Sequence, residues 1–294
     1  MGDASLAKYL EEFARRLHPR LLAAVEAKEH AHTPRLREAL GYTLLAPGKR
    51  IRAAVIDLWS RSAARADEKL VLDAATAVEL IHSASLILDD LPSMDDARTR
   101  RGLPCCHLVF GVDTAILVAT ANLARAFEIL GEVDGKNQHL RLTALFARAV
   151  GVNGMIGGQH VDLHLPAQMR ELDTLEYIHR HKTGGLFGAC ARAGVRLSKG
   201  DERLEEVAAN YARNLGLAFQ IKDDLLDAFG HAQEMGKDAR KDRGKATFVS
   251  SLGAEASEEI MNRLLATASD SLVHLENPDP LLRELCSFVA SRRN

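Results

Sequence analysis

Two clusters of aspartates are the part of this sequence best suited to chemistry. Residues 89–96 have the sequence DDLPSMDD, and residues 223–227 have the sequence DDLLD. Each cluster follows an apolar segment with helical periodicity, which places it in the last turns of a predicted helix. Because the C-terminal end of a helix carries partial negative charge, carboxylates there need a compensating cation.

The spacing within each cluster indicates which cation. Asp223 and Asp227 are four residues apart, so they share one helix face at a separation of about 6 Å. Asp89 and Asp95 are six apart and would leave a common face, but Pro92 interrupts helical bonding and a local bulge would return them to one side. Carboxylate oxygens without softer ligands favour Mg²⁺.

Two other interpretations of the acidic clusters fit the sequence less well. A single cluster is compatible with a solvated acidic helix end, but two clusters that each follow an apolar helix favour a metal site. A calcium loop of the EF-hand type does not match, because its alternating ligands, its glycine at the sixth position and its glutamate at the twelfth are absent.

Basic residues accompany the clusters, as a phosphate site would require. Magnesium that is held by few carboxylates usually also binds substrate phosphate oxygens. Each basic segment alone is more typical of a surface, and no Walker A loop is present. In combination with two acidic clusters and an apolar interior, they predict a site for diphosphates attached to hydrocarbon. The segments are 48–52, 98–101, 182–185, Lys222, and Lys237 with Lys245.

Helical periodicity extends over nearly the whole chain, and we find no convincing strand. We predict one all-α domain over residues 1–294, a helical bundle with several helices inside it. Residues 229–247 are polar and glycine-rich, which favours a loop near the site. The predicted helices cover residues 4–30, 34–45, 50–65, 69–90, 112–130, 139–158, 171–182, 185–197, 201–228, 254–274 and 279–292.

Composition excludes several classes of protein. The net charge is −2, so no basic excess is available for nucleic acid. The four cysteines form no C-x-x-C pair, which argues against a zinc site or a disulfide framework and favours reduced thiols in the cytoplasm. The acidic and polar N-terminal residues do not match the pattern of a signal peptide. No uncharged apolar run approaches the roughly 20 residues of a transmembrane segment.

The sequence resembles the trans-isoprenyl diphosphate synthases, most closely the bacterial farnesyl and geranylgeranyl enzymes. The resemblance implies an all-α bundle around a deep central cavity, usually in a homodimer. It also implies an elongating prenyltransferase, which condenses isopentenyl diphosphate with dimethylallyl, geranyl or farnesyl diphosphate and releases diphosphate. The segments that carry it are 46–53, 79–107, 157–162, 179–185 and 216–227.

The resemblance also implies the roles of individual residues. The implied catalytic residues are the six aspartates Asp89, Asp90, Asp95, Asp223, Asp224 and Asp227, together with Lys182. Asp89, Asp95, Asp223 and Asp227 are the implied ligands of three Mg²⁺ ions, with Asp90 and Asp224 in support. The implied isopentenyl diphosphate anchors are Lys49, Arg52, His82 and Arg101. The implied allylic diphosphate anchors are Arg100, Lys182, Thr183, Gln220, Lys237 and Lys245. The implied chemistry is ionisation, condensation and elimination, in which the departing diphosphate takes the proton.

The residues that precede the first cluster indicate the chain length of the product. Ser85 and Ala84 precede Asp89 by four and five residues, roughly one turn or 5.4 Å deeper. Similar farnesyl synthases carry an aromatic floor at the fifth position. Its absence predicts a longer tunnel and a twenty-carbon product, geranylgeranyl diphosphate. The deeper floor candidates are Ile81, Thr120 and Leu123, and Ala119-Thr120 replaces a Gly-Asp pair that is frequent in farnesyl synthases.

Three alternatives remain beside this prediction. One is a synthase that makes the farnesyl product or products longer than twenty carbons. Another is a terpene cyclase or head-to-head synthase, against which the isopentenyl anchors Lys49, Arg52 and His82 argue. The third is a non-catalytic regulatory subunit of a prenyl synthase, against which the two intact aspartate clusters argue.

Overall fold

Helices make up almost all of the described chain, as the periodicity predicts. The computed structural model describes residues 2–26, 33–64, 66–164, 172–233 and 247–292. The helices are α1 (Gly2–Val25), α2 (Pro34–Leu44), α3 (Ile51–Ala63), α4 (Glu68–Asp89), α5 (Cys106–Phe110), α6 (Val112–Lys136), α7 (Leu142–Val150), α8 (Met155–His164), α9 (Leu172–His179), α10 (Gly185–Leu197), α11 (Glu202–Gln233), α12 (Phe248–Leu252), α13 (Ala254–Ser271) and α14 (Pro280–Ser291). A π-helical segment, Arg180–Gly184, joins α9 to α10, and a 3₁₀ turn, Leu272–His274, follows α13.

A single hydrophobic core contains side chains of both the first and the last described helix. It includes Leu6 of α1 and Val289 of α14, and its interior is built from α3, α4, α10 and α11. Helix α4 packs against both α3 and α6, while α10 packs against both α3 and α11. A helix that is apolar on several faces is stable only when neighbours cover those faces. The predicted all-α, single-domain bundle with inner helices is confirmed.

Two departures from the predicted elements lie in the middle of the chain, apart from the unpredicted short helices α5 and α12. Residues 139–158 form two helices instead of one, since the chain turns after Val150 and helix α8 begins at Met155. A short hairpin of β1 (Thr99–Arg100) and β2 (Leu103–Pro104) was not predicted. Its two turn residues, Arg101 and Gly102, have φ of 53° and 77°, as a type I′ turn requires. Strands of two residues are too short for alternation to reveal them.

In the described part of the chain, two helices are long and apolar enough to cross a membrane by length and composition alone, namely α4 and α6. Two thirds of the apolar window in α4 (67%) is buried within the protein, as in the core helix of a soluble protein, whereas only 39% of the window in α6 is buried. The exposed part of α6 includes Val112, Ile116 and Leu117. The predicted absence of a transmembrane segment remains a prediction. Within the described ranges none of the four cysteines forms a disulfide bond.

Candidate active site

The first aspartate cluster lies where α4 ends. Helix α4 stops at Asp89, and the backbone N–H of Asp95 donates to the Asp89 carbonyl oxygen at 2.9 Å. The N–H of Asp96 donates to the Leu91 carbonyl oxygen at 3.0 Å. The chain therefore folds back after Pro92 and returns Asp95 towards Asp89, as predicted.

The carboxyl of Asp89 is in an environment that disfavours its charge. Burial raises its pKa to about 6; Lys182 opposes this shift, while the neighbouring carboxylate of Asp95 adds to it. Two carboxylates in a poorly solvated place destabilise each other unless a cation lies between them. This part of the site is therefore prepared for a positive charge.

Lys182 extends towards the same cluster from the π-helical segment. Its Nζ is 2.9 Å from the Oδ2 of Asp162 on α8. Burial lowers the pKa of Lys182, but Asp162 and Asp89 outweigh burial and raise it overall, so the ammonium stays charged. The sequence prediction missed Asp162. The only sequence signal is its position in the segment that follows Gly157 and Gly158.

The second cluster lies in the last turns of α11, as predicted, but the helix continues to Gln233 instead of stopping at residue 228. The start of the predicted loop 229–247 is therefore helical, and residues 234–246 lie outside the described residues. Asp223 and Asp227 are one turn apart on this helix, as predicted. Burial raises the pKa of Asp223, and the guanidinium of Arg292 opposes that shift. Arg292, next to the end of α14, bonds directly to the Asp223 carboxylate and was not predicted as a site residue.

Asp224 points into a buried polar chain. The hydroxyl of Thr183 donates to Gln220 Oε1 at 3.1 Å, and Gln220 Nε2 donates to Asp224 Oδ1 at 3.3 Å. Burial raises the pKa of Asp224 to about 7 in spite of these bonds. His179 lies 4.0 Å from the same carboxylate. The chain links Thr183 and Gln220, both predicted allylic anchors, to the second cluster.

A second basic group surrounds the start of α3. Arg52 Nη1 lies 3.2 Å from His82 Nε2, and the guanidinium of Arg52 stacks 4.7 Å from the ring of Phe187. Burial and the nearby arginines, Arg52 first, hold the pKa of His82 well below its usual value. Since a guanidinium can only donate, His82 Nε2 is the acceptor of this bond and the imidazole is neutral.

Lys49 and Arg101 lie beside this pair. The Lys49 ammonium sits 4.9 Å from the ring of Phe288, and its pKa is lowered by burial and by Arg292. A side chain at Gly48 would come within 3.0 Å of the Arg101 guanidinium. Burial and Arg50 lower the pKa of Arg101, which shows that positive charge is crowded here. Arg52, His82 and Arg101 therefore lie together where crowded positive charge favours an anion, while Lys49 lies near Arg292 and Asp223.

A buried ion pair that was not predicted holds this group in place. Arg50 Nη1 is 2.9 Å from Glu79 Oε2, and the two side chains are only 8% and 2% exposed. Arg50 also donates to the carbonyl oxygens of Leu44 and Ala46. The pair therefore ties the loop that carries Lys49 to the middle of α4.

Arg100 of the hairpin lies between the two aspartate clusters. Its Nε donates to Asp90 Oδ1 at 3.1 Å. Its charge acts on both clusters, since it lowers the pKa of Asp89 and also that of Asp223 against the effect of burial. The C-terminal end of α4 and the second aspartate cluster therefore face the same space. The predicted anchors Lys237 and Lys245 lie outside the described residues.

The predicted chain-length residues divide into two groups. Ile81 and Ala84 are completely buried, and Ser85 is partly buried with its hydroxyl donating to the His82 carbonyl oxygen at 2.9 Å. Thr120 is exposed and donates to the Ile116 carbonyl oxygen. The expectation that Thr120 belongs to a tunnel floor within the chain is wrong, because it lies on the outer side of α6.

The oxygen donors of these side chains suit metal ions that are bound partly by the protein and partly by a substrate. Across the described ranges, no group of three or more histidine, cysteine, aspartate or glutamate side chains encloses a metal site. The carboxylates come instead as pairs, Asp89 with Asp95 and Asp223 with Asp227. All these donors are hard oxygens, which suits Mg²⁺ that completes its shell with water and phosphate oxygens.

Comparison with known proteins agrees with this geometry. A family model described as polyprenyl synthetase matches residues 33–275. The chain is 40% identical to geranylgeranyl pyrophosphate synthase 9 of Arabidopsis thaliana over 88% of this chain and 74% of the relative. It is 36% identical to farnesyl diphosphate synthase of Geobacillus stearothermophilus over 99% of both chains. The apo crystal structure of an FPP/GFPP synthase from Zymomonas mobilis superposes with a TM-score of 0.86 at 33% identity, over 98% of this chain and all (100%) of the other.

Proposed function

We propose that this chain, which belongs to the polyprenyl synthetase family, makes geranylgeranyl diphosphate. That it is a chain-elongating trans-prenyltransferase follows from its family and relatives. The relatives include both geranylgeranyl and farnesyl synthases, so they leave the product open. The observation that carries the proposal is the small, buried side chain of Ala84 one turn below the first aspartate cluster, with Ile81 beneath it.

The proposed roles of the side chains follow from where they lie. Lys182 and Arg100 hold the diphosphate of the allylic substrate between the two clusters. Its C–O bond breaks, and the bonding electrons leave with the diphosphate. Lysine and arginine side chains that are already oriented stabilise this developing charge without reorganisation.

The second substrate belongs at the start of α3. Lys49, Arg52 and Arg101 hold the diphosphate of isopentenyl diphosphate, while neutral His82 keeps Arg52 oriented. The double bond of isopentenyl diphosphate attacks the allylic cation and forms the new carbon–carbon bond. The released diphosphate then takes a proton from the carbon next to the resulting cationic centre of the isopentenyl unit. No side chain therefore has to act as the base.

We propose Mg²⁺ as the metal and three ions per site. Asp89 and Asp95 would hold them from one side, and Asp223 and Asp227 from the other. When bound, the ions supply the positive charge that offsets the leaving diphosphate. The raised pKa of Asp89, about 6, is consistent with a site built to receive that charge.

We propose a cytoplasmic homodimer in which the outer side of α6 meets a second copy. Val112, Ile116 and Leu117 expose apolar side chains along this helix. Contiguous exposed apolar surface of this kind is typical of an interface. Sedimentation analysis of wild type against Ile116→Glu/Leu117→Glu tests this, since the charged variant should be monomeric.

The test of function is incubation with isopentenyl diphosphate, Mg²⁺ and each of the dimethylallyl, geranyl and farnesyl primers, followed by chromatography of the products. A twenty-carbon product is expected from all three primers. A fifteen-carbon product would contradict the proposed chain length and leave the family intact. A chain that is inactive alone, but changes the rate or product of a partner synthase, would favour the regulatory-subunit alternative.

A further inference from the structure

A basic groove lies outside the site described above. Helices α7, α10 and α11 enclose a cavity of about 320 Å³. Within the described part of the chain, its lining contains no acidic side chain and includes five arginines, namely Arg141, Arg148, Arg192, Arg196 and Arg213. Among the residues that the structure describes, none of the predicted substrate or metal residues lines it. We call this cavity the arginine groove.

The positive charge of the groove is only partly compensated. Arg196 is paired with Glu205 at 2.9 Å, and Arg192 Nε lies 3.9 Å from the same carboxylate. One carboxylate thus serves two of the five arginines. Burial and the nearby charges of Arg192 and Arg180 lower the pKa of Arg213, against a smaller opposing effect of Glu206. Arg192 Nε is buried and meets no hydrogen-bond acceptor among the residues that the structure describes.

The floor of the groove is made of very small residues. Gly184, Gly185 and Gly188 lie along it, with Ala189 beside them. A side chain on Gly188 would meet the Arg213 side chain at 3.8 Å. Because the floor carries almost no side chains, the arginines surround an open concavity instead of covering a flat surface.

We propose that the arginine groove binds a diphosphate group. Guanidinium groups match phosphate oxygens with two parallel hydrogen bonds, so several arginines around one concavity select a compact anion of high charge. A volume near 320 Å³ is at the small end of ligand sites. A nucleic acid would need a longer basic surface, which a chain of net charge −2 does not suggest.

The molecule that supplies this diphosphate group is either free inorganic diphosphate or a prenyl diphosphate. If the proposed function is correct, both are present wherever the enzyme works. The groove is also adjacent to the active site along the chain, because Gly184 and Gly185 in its lining directly follow Lys182 and Thr183. An occupant of the groove would therefore contact the backbone that positions Lys182.

Isothermal titration calorimetry with inorganic diphosphate in EDTA tests the proposal without depending on turnover. The test variant is Arg148→Ala/Arg213→Ala, whose side chains are both exposed at the groove. The matched control is Arg263→Ala/Arg283→Ala, two exposed arginines on α13 and α14. A third protein, Lys182→Ala/Arg101→Ala, removes anchors of the active site. We expect the same affinity for diphosphate at the groove in wild type, the control and the active-site variant. The test variant should bind diphosphate on the order of 100-fold more weakly.

Equal binding by the test variant and wild type would overturn the proposal, as would loss of all binding in the active-site variant alone. Repeating the titration with geranyl diphosphate separates the two sources. Equal affinity assigns the free anion, and at least tenfold tighter binding assigns the prenyl diphosphate. If the double variant does not fold by circular dichroism, Arg148→Ala alone should weaken binding by about tenfold.

Discussion

The guanidinium of Arg292 bonds to the carboxylate of Asp223, so the C-terminal end of α14 is tied to the second aspartate cluster. The same guanidinium stacks 3.8 Å from the centre of the Phe219 ring and donates to the Phe219 carbonyl oxygen at 2.9 Å. A positive side chain thus lies against Asp223, one of the carboxylates that would hold the proposed Mg²⁺. Arg292 would therefore compete with that ion for the carboxylate.

Replacing Arg292 should make that carboxylate more available. We predict that Arg292→Ala lowers the Mg²⁺ concentration for half-maximal activity by about fivefold, the effect of a partly exposed ion pair worth about 1 kcal/mol. Magnesium titrations of turnover check this, with Arg283→Ala on the same helix as the matched control. A higher Mg²⁺ requirement in Arg292→Ala would show that Arg292 supports the substrate complex instead.

Loss of either aspartate cluster should abolish most of the activity. We predict that Asp89→Ala and Asp223→Ala each reduce kcat by on the order of 10²-fold or more, as the loss of a key electrostatic group does. Steady-state kinetics with saturating Mg²⁺ measures the effect, and the exposed Asp270→Ala on α13 is the control. Turnover near wild type in either variant would contradict the assignment of these aspartates as metal ligands.

The buried carboxyl of Asp224 should make the metal-free protein less stable as the pH rises. Its pKa is about 7 in the folded protein and near 4 in an unfolded chain, so the folded state binds the extra proton between these values. The resulting stability is complete below about pH 4 and is lost as the pH rises through 7, by at most about 4 kcal/mol. Asp89, with a pKa of about 6, acts in the same direction.

Denaturant unfolding in EDTA between pH 4 and 8 measures this dependence. Asp224→Asn should have a flatter profile and a higher free energy of unfolding than wild type at pH 8, whereas Asp270→Asn should follow wild type. A wild-type profile that rises with pH would contradict the prediction.

Product length should respond to the side chain at position 84. We predict that Ala84→Tyr shifts the product from twenty carbons to fifteen, because the ring would fill the space one turn below Asp89. Chromatography of products from labelled isopentenyl diphosphate gives the length, and Ser85→Ala is a control expected to keep the wild-type length. An unchanged product from a folded Ala84→Tyr enzyme would show that position 84 does not line the tunnel.

The pair of Arg50 and Glu79 should be a structural requirement of the site. Glu79→Ala leaves a buried guanidinium without its partner and should lower the free energy of unfolding by about 3–5 kcal/mol. Replacing both charges, as in Arg50→Met/Glu79→Leu, should cost less than Glu79→Ala alone. Denaturant melts compare the variants, and an additive loss in the double variant would show that the two side chains act independently.

Local physical chemistry makes much of this protein predictable from its sequence. The helical period alone places α3, α4, α6 and α10 within a few residues of their observed bounds, except at the end of α6. The spacing of Asp223 and Asp227 needs nothing beyond one turn of helix. The return of Asp95 to Asp89 follows from Pro92 and is also local.

The contacts that assemble the site are not local, and only the tertiary structure decides them. Lys182 meets Asp162, Arg52 meets His82, and Arg292 meets Asp223 across 20, 30 and 69 residues of chain. Each contact depends on which helix faces which, and that depends on how buried side chains fit together throughout the core. Periodicity shows that a helix has an apolar side, but it does not identify the neighbour that covers it.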